Sequence, residues 1–108
     1  MTQLSEPQKK YLRSLGHALK PVLMVGGNGV TPGLLQEAET TLDTHELVKV
    51  RLRVGDREAR DAAISSITEA TGATLVQRIG HVALLYRPHP EKPGIILPSG
   101  RPAASPSR

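Results

Sequence analysis

Gly26-Gly27-Asn28-Gly29 is the stretch of this 108-residue chain best suited to chemistry. It follows the apolar run Val22-Leu23-Met24-Val25 and precedes Thr31-Pro32, a hydroxyl residue suited to an N-cap and a proline suited to the first helical position. A glycine turn between a buried strand and a helix start aims free backbone amides and a helix dipole at one point, the arrangement that holds a phosphate. The same glycines also suit a plain tight turn, and the loop alone does not choose between the two. The nucleotide-binding motifs do not match: no Lys or Ser follows Gly29 as the Walker pattern requires, and the loop is too short for the dinucleotide fingerprint.

Other reactive residue types are scattered. His17, His45, His81 and His89 lie far apart in HxxxH-free and HExxH-free contexts, and His45-Glu46 reads as a helix end answering its dipole. Glu37 with Glu39, and Asp56 with Glu58, fall on a helix surface or at a cap, where solvation explains them. Ser14, Ser65 and Ser66 lie within helices and lack a strand-to-helix elbow. The chain contains no cysteine, which removes thiol nucleophiles, disulfides, iron-sulfur clusters and Cys-based zinc sites. The expectation is a protein with no catalytic residues, no metal, no cofactor and no small-molecule substrate.

Charge is segregated by element within a net +4. Residues 1–25 carry Lys9, Lys10, Arg13 and Lys20 against Glu6 alone; residues 30–46 hold Glu37, Glu39, Asp43 and Glu46 with no Lys or Arg. Residues 47–60 are basic again through Lys49, Arg51, Arg53, Arg57 and Arg60. These are either ordinary solvated faces or the footprint of a polyanion.

The elements that must position these groups follow from capping and periodicity. Ser5-Glu6-Pro7-Gln8 has the form of a capping box, predicting a helix over about 6–18 with Tyr11, Leu12, Leu15, Ala18 and Leu19 inward and Lys9, Lys10, Arg13, His17 and Lys20 outward. Pro21 ends it, and residues 22–25 read as a strand buried on both faces. A helix over 32–45 buries Leu34, Leu35, Ala38 and Leu42 and shows its acids to water. Leu47 to Val54 alternates as a strand, with Val48, Val50, Leu52 and Val54 on one face and Lys49, Arg51 and Arg53 on the other. Asp56 caps a third helix over 57–71, with Ala59, Ala63, Ile64, Ile67 and Ala70 inward and Gly72 as its stop. Strands over 73–79 and 82–87 meet at the two-residue turn Gly80-His81. The order is αβαβαββ, with a core drawn from 27 Leu, Ile and Val residues and no Phe or Trp.

Past Arg87 the composition shifts: 11 of the 21 residues 88–108 are Pro, Gly or Ser, which divides the chain into a domain over 1–87 and a largely flexible tail over 88–108. Ile95-Ile96-Leu97 is the one apolar island, and it either belongs to that tail or lies against the sheet. No run approaches the ~20 apolar residues of a membrane span, and the first residues lack the basic and apolar regions of a signal peptide, so the expected location is cytoplasmic and away from membranes.

The loop also fits G-x-x-G, with which KH-type modules clamp an RNA backbone. With Tyr11 and Tyr86 as the only aromatic residues there is no base-stacking platform, so RNA contacts would go mostly to phosphate and sugar. Several separated motifs then share one pattern: Leu19-Lys20-Pro21-Val22 leading into Gly26–Thr31, His45-Glu46-Leu47-Val48-Lys49-Val50, Thr71-Gly72-Ala73, Ile79-Gly80, and Leu84-Leu85-Tyr86-Arg87-Pro88. In order and spacing the chain resembles a stand-alone bacterial CRM domain of the YhbY type over most of residues 5–98.

That resemblance implies an α/β two-layer sandwich with a mixed four-stranded sheet, similar to the C-terminal domain of translation initiation factor three. It also implies binding to ribosomal RNA in large-subunit precursors during assembly, with ribosomal proteins as further partners. By position, RNA would meet Gly26, Gly27, Asn28 and Gly29, beside the basic residues Lys9, Lys10, Arg13 and Lys20, and Lys49, Arg51 and Arg53 would extend the field if their sheet face is open. Relatives often place a polar or basic residue where this chain has Gly27, so here the loop brings no charge of its own. The competing expectation is a protein-interaction module of the translation machinery, acting through the acidic second helix or the Pro-rich tail.

Overall fold

Helix α1 (Glu6–Gly16) starts at a closed capping box: Gln8 N–H donates to Ser5 Oγ at 3.2 Å, and Ser5 N–H donates to Gln8 Oε1 at 3.0 Å. The fold is known from a computed structural model that describes residues 4–91 and 93–98. The helix ends two residues earlier than its pattern predicts, because Gly16 is pressed onto the sheet. A Cβ at that position would lie 2.8 Å from Leu84 Cδ2, so only glycine permits the approach without displacing Leu84. The buried stripe is accordingly Gln8, Leu12 and Gly16, one residue every four, with Leu15 half-buried. Tyr11, Ala18 and Leu19, expected inward, are exposed.

Four strands follow the predicted order: β1 (Pro21–Val25), β2 (Leu47–Leu52), β3 (Thr74–Ile79) and β4 (Val82–Tyr86), arranged β1-β2-β4-β3. β1 runs parallel to β2, the two being joined by α2 (Pro32–His45), while β2/β4 and β4/β3 are antiparallel, so the sheet is mixed. The helix starts use the expected caps. Leu34 N–H donates to Thr31 Oγ1 at 3.1 Å, and Ala59 N–H donates to Asp56 Oδ1 at 2.9 Å at the head of α3 (Arg57–Thr71). Gly72 closes α3 at φ 77, and Gly80 opens the β3–β4 hairpin at φ 56, the first central position where a type II′ turn wants glycine.

The main core lies between α2, α3 and one sheet face. Leu34, Ala38 and Leu42 of α2 and Ala63, Ile64 and Ile67 of α3 meet Leu23, Val25, Val48, Val50, Leu52, Ala83 and Leu85. Each Leu, Ile or Val among them is worth about 1.5–3 kcal/mol on burial, which makes this layer pair the principal source of stability. Ala70, expected inward, faces water; Thr71 is buried in its place with its hydroxyl donating to Ile67 C=O at 2.7 Å.

The opposite face carries a smaller cluster of Leu47, Val76, Leu84 and Tyr86, covered by Leu12 of α1. Burial raises the Tyr86 phenol above its ordinary pKa, with the Glu46 charge adding to the effect. Because α1 is short, it covers only part of this face. Val22 and Met24 of the edge strand β1 are each 52% exposed, so β1 is buried on one face, not on both as its composition suggests.

Of the two arrangements open to the Ile95–Leu97 island, the chain takes the one against the sheet: Ile95 and Leu97 pack on the Leu12–Tyr86 cluster. The composition shift at Pro88 therefore does not end the packed chain. The reason is Glu46, whose buried carboxylate accepts N–H groups from His89, Gly94 and Ile95. Residues 99–108 of the predicted tail lie outside the described residues.

Candidate nucleic-acid interface

The glycine loop is a tight turn with an open outer surface. Gly29 N–H donates to Gly26 C=O at 2.9 Å, and Gly29 takes φ 73, a left-handed conformation that disfavours any side chain. A Cβ added at Gly26, Gly27 or Gly29 would meet nothing within 4 Å, so a ligand can reach the backbone from outside.

The loop forms one wall of a groove of about 550 Å³. The second wall is the β2–α3 connection, Arg53 to Gly55, and the third is the flank of α3 at Ala59, Ala62, Ala63 and Ser66. Arg53 is pinned at the loop by its own backbone, its N–H donating to Val25 C=O at 2.8 Å, while its side chain is exposed. Arg53 is thus the predicted cation that the fold delivers to Gly27, Asn28 and Gly29. The arrangement combines an open loop backbone with one exposed guanidinium, which suits a phosphodiester.

The α3 wall was not anticipated, yet its signal is present: positions 59, 62, 63 and 66 are all Ala or Ser at helical spacing, a stripe too small to serve as a core face alone.

The remaining predicted cations stand elsewhere. α1 packs on the sheet face opposite α2 and α3, so Lys9, Lys10 and Arg13 do not line the loop groove. Lys9 lies 3.8 Å from the exposed Glu6, a contact worth little in water, and Lys10 and Lys20 are exposed. Arg13 and Lys49 meet around a hollow at the end of α1, with Lys49 Nζ donating to Leu19 C=O at 3.2 Å. Arg51 is exposed on the same face, between Met24 and Val82 in the strand register. The basic face of β2 is therefore divided: α1 closes it at Leu47 and leaves it open from Arg51 onward.

The acidic helix is less free than its sequence implies. Arg87 bridges from the end of β4 to Glu39 Oε1 at 2.8 Å and to Asp43 Oδ1 at 2.7 Å, and also donates to Thr71 C=O at 2.8 Å. Glu46 is buried. No group of three or more His, Cys, Asp or Glu residues placed to hold a metal occurs among the described residues, and no helix there is long and apolar enough to cross a membrane.

Comparison with known proteins places this geometry. The model of the CRS1/YhbY (CRM) domain matches residues 4–87. The chain belongs to the CRS1/YhbY (CRM) domain family. A Haemophilus influenzae relative named RNA-binding protein is 50% identical over 91 residues, covering 84% of this chain and 92% of its own length. A relative from Pseudomonas aeruginosa, named as a probable RNA-binding protein, is 46% identical over 88 residues, 82% of this chain and 85% of its own. The solution structure of a Staphylococcus aureus protein superposes with a TM-score of 0.76 at 33% identity, covering 89% of this chain and all of that one. The matched CRM domain ends at Arg87, the residue that ties β4 to α2 and α3, and the segment held by Glu46 lies beyond it.

Proposed function

We propose that this CRM-domain protein binds RNA by seating a backbone phosphate on the outer surface of the Gly26–Gly29 loop with Arg53 beside it. The RNA is ribosomal RNA of large-subunit precursors, and the protein assists their assembly in the cytoplasm by binding, without turnover. The observation that carries this reading is the meeting of the G-x-x-G loop and Arg53 in one open groove. The names of the Haemophilus and Pseudomonas relatives support the RNA, and the resemblance to stand-alone bacterial CRM domains supports the ribosomal target. Lys9, Lys10, Arg13, Lys20, Lys49 and Arg51 extend the positive field on the other side of the sheet, and ribosomal proteins are neighbours on the particle. The alternative through the acidic helix loses ground because Arg87 already occupies Glu39 and Asp43.

The test is sedimentation of a tagged copy through a lysate density gradient at low and moderate salt, with ribosomal RNA followed in each fraction. Migration with large-subunit precursors, lost on raising salt and in Gly29→Asp, is the expected result. A protein that stays at the top of the gradient under all conditions overturns the ribosomal assignment.

A further inference from the structure

A second hollow, of about 240 Å³, lies where α1 ends against the sheet, on the face away from the main core. Ile79, Val82 and Leu84 line its apolar part, Arg13 and Lys49 its cationic part, and none of its lining residues is acidic. Beside it the register row Met24–Arg51–Val82–Ile79 crosses all four strands. Met24 is 52% and Ile79 66% exposed, because α1 stops short at Gly16.

We propose that this hollow is a second RNA subsite that receives the base of an unpaired nucleotide, while Arg13, Lys49 and Arg51 hold the neighbouring phosphates. The proposal rests on RNA binding at the glycine loop. A rim of cations without acids selects a polyanion, but phosphate gains nothing from an aliphatic floor. A nucleotide supplies both an anion and a flat, weakly polar face. In a duplex those faces are stacked away, so only unpaired RNA offers them. The volume is below the ~300 Å³ at which sites for drug-sized ligands begin, leaving room for one base.

Continuity with the loop favours the same molecule at both places. Lys49 and Arg51 are alternate residues of β2, about 6.6 Å apart along its open face, and Arg53 follows one residue past the end of that strand, where the chain turns into the loop groove. Arg53 N–H bonds to Val25 C=O, and Val25 directly precedes Gly26. One strand of RNA can follow that line. Lys49 keeps N–H groups for it, since its bond to Leu19 C=O uses one of three.

The experiment compares binding of the full chain to an unstructured single-stranded oligoribonucleotide and to the same strand annealed to its complement, over a salt series. The expected result is tighter binding of the single strand. Ile79→Ala should weaken that binding roughly fivefold without changing the salt slope, because it removes apolar contact only. Arg13→Ala should lower the log-log slope by about 0.7, one phosphate contact. Gly29→Asp runs in parallel. If Gly29→Asp loses affinity while Ile79→Ala and Arg13→Ala bind as the parent, the second subsite is overturned and the loop reading stands. That result would leave the hollow to an acidic protein segment. Equal affinity for both RNA forms also overturns it. If the parent binds neither RNA, the loop reading falls and the subsite with it.

Discussion

The backbone N–H of Ile95 donates to Glu46 Oε1 at 3.0 Å, joining the end of α2 to a segment 49 residues later in the chain. The same carboxylate accepts from His89 at 2.6 Å and from Gly94 at 3.0 Å, and the Glu46 C=O accepts from Arg87 N–H at 2.8 Å. Glu46 sits at φ 63, a left-handed conformation uncommon for a residue with a side chain. One buried acid in that conformation turns the chain from α2 into β2 and seats Ile95 and Leu97 on the second cluster.

Replacing Glu46 with Ala should lower stability by about 2–4 kcal/mol, since three part-buried backbone N–H groups lose their charged acceptor and the apolar cover over Tyr86 loosens. Urea unfolding measures the loss, and limited proteolysis should show new cleavage between residues 88 and 98. An unchanged midpoint would mean that the segment contributes no packing.

Truncation should respond to the same anchor. Removing residues 89–108 strips Ile95 and Leu97 from the cluster and should lower the melting temperature. Thermal unfolding of the truncated and the full chain checks this, and an unchanged melting temperature would mean that these two side chains add no stability.

At the loop, Gly27→Lys should tighten RNA binding and steepen its salt dependence by about 0.7–0.9 in log-log slope, one added phosphate contact. The position has open space and is not among the positive-φ glycines, so folding should be unaffected. Gly29→Ala instead forces a side chain into the left-handed region at a cost of about 1–2 kcal/mol. Titration of each variant with RNA, alongside its melting curve, separates the two effects.

Stability should fall in alkali. The Tyr86 phenol is raised above its ordinary value of 10.0 in the folded chain, by burial first and by the Glu46 charge second. Below pH 10 it is neutral in both states and its stabilising effect is fully present; as pH rises through and above 10 the unfolded chain loses that proton first, so unfolding is favoured. The melting temperature of Tyr86→Phe should decline less steeply above pH 10 than that of the parent.

Much of the local structure was legible because its causes are local. The Ser5–Gln8 capping box, the Thr31 and Asp56 caps, the Gly72 stop and the Gly80-His81 turn each depend on a few adjacent residues, and each is found where it was read. The alternation of Val48, Val50 and Leu52 correctly named the face turned to the main core. Side chains that meet across long separations were less legible. Helical periodicity names an arc but not its centre, so Tyr11 was placed inward, whereas the approach of Gly16 to Leu84 turns Gln8 and Leu12 to the sheet. An apolar strand such as Val22–Val25 reads alike at the edge of a sheet or its middle. Its exposure follows from strand order and from the length of a helix packed elsewhere.

The functional residues divide in the same way. From the sequence alone came the G-x-x-G loop, the αβαβαββ order and the identity of every cation considered, since these are properties of residue type and near spacing. Tertiary structure alone decided that Arg53 joins the loop while Arg13, Lys49 and Arg51 gather on the other side of the sheet. It alone supplied the Ala and Ser wall of α3, and it alone made Glu46 an anchor in place of a solvated helix-end acid. The reason is physical: a backbone conformation is chosen within a few residues, but which side chains share a groove depends on how helices and strands distant in sequence pack to bury one continuous apolar core.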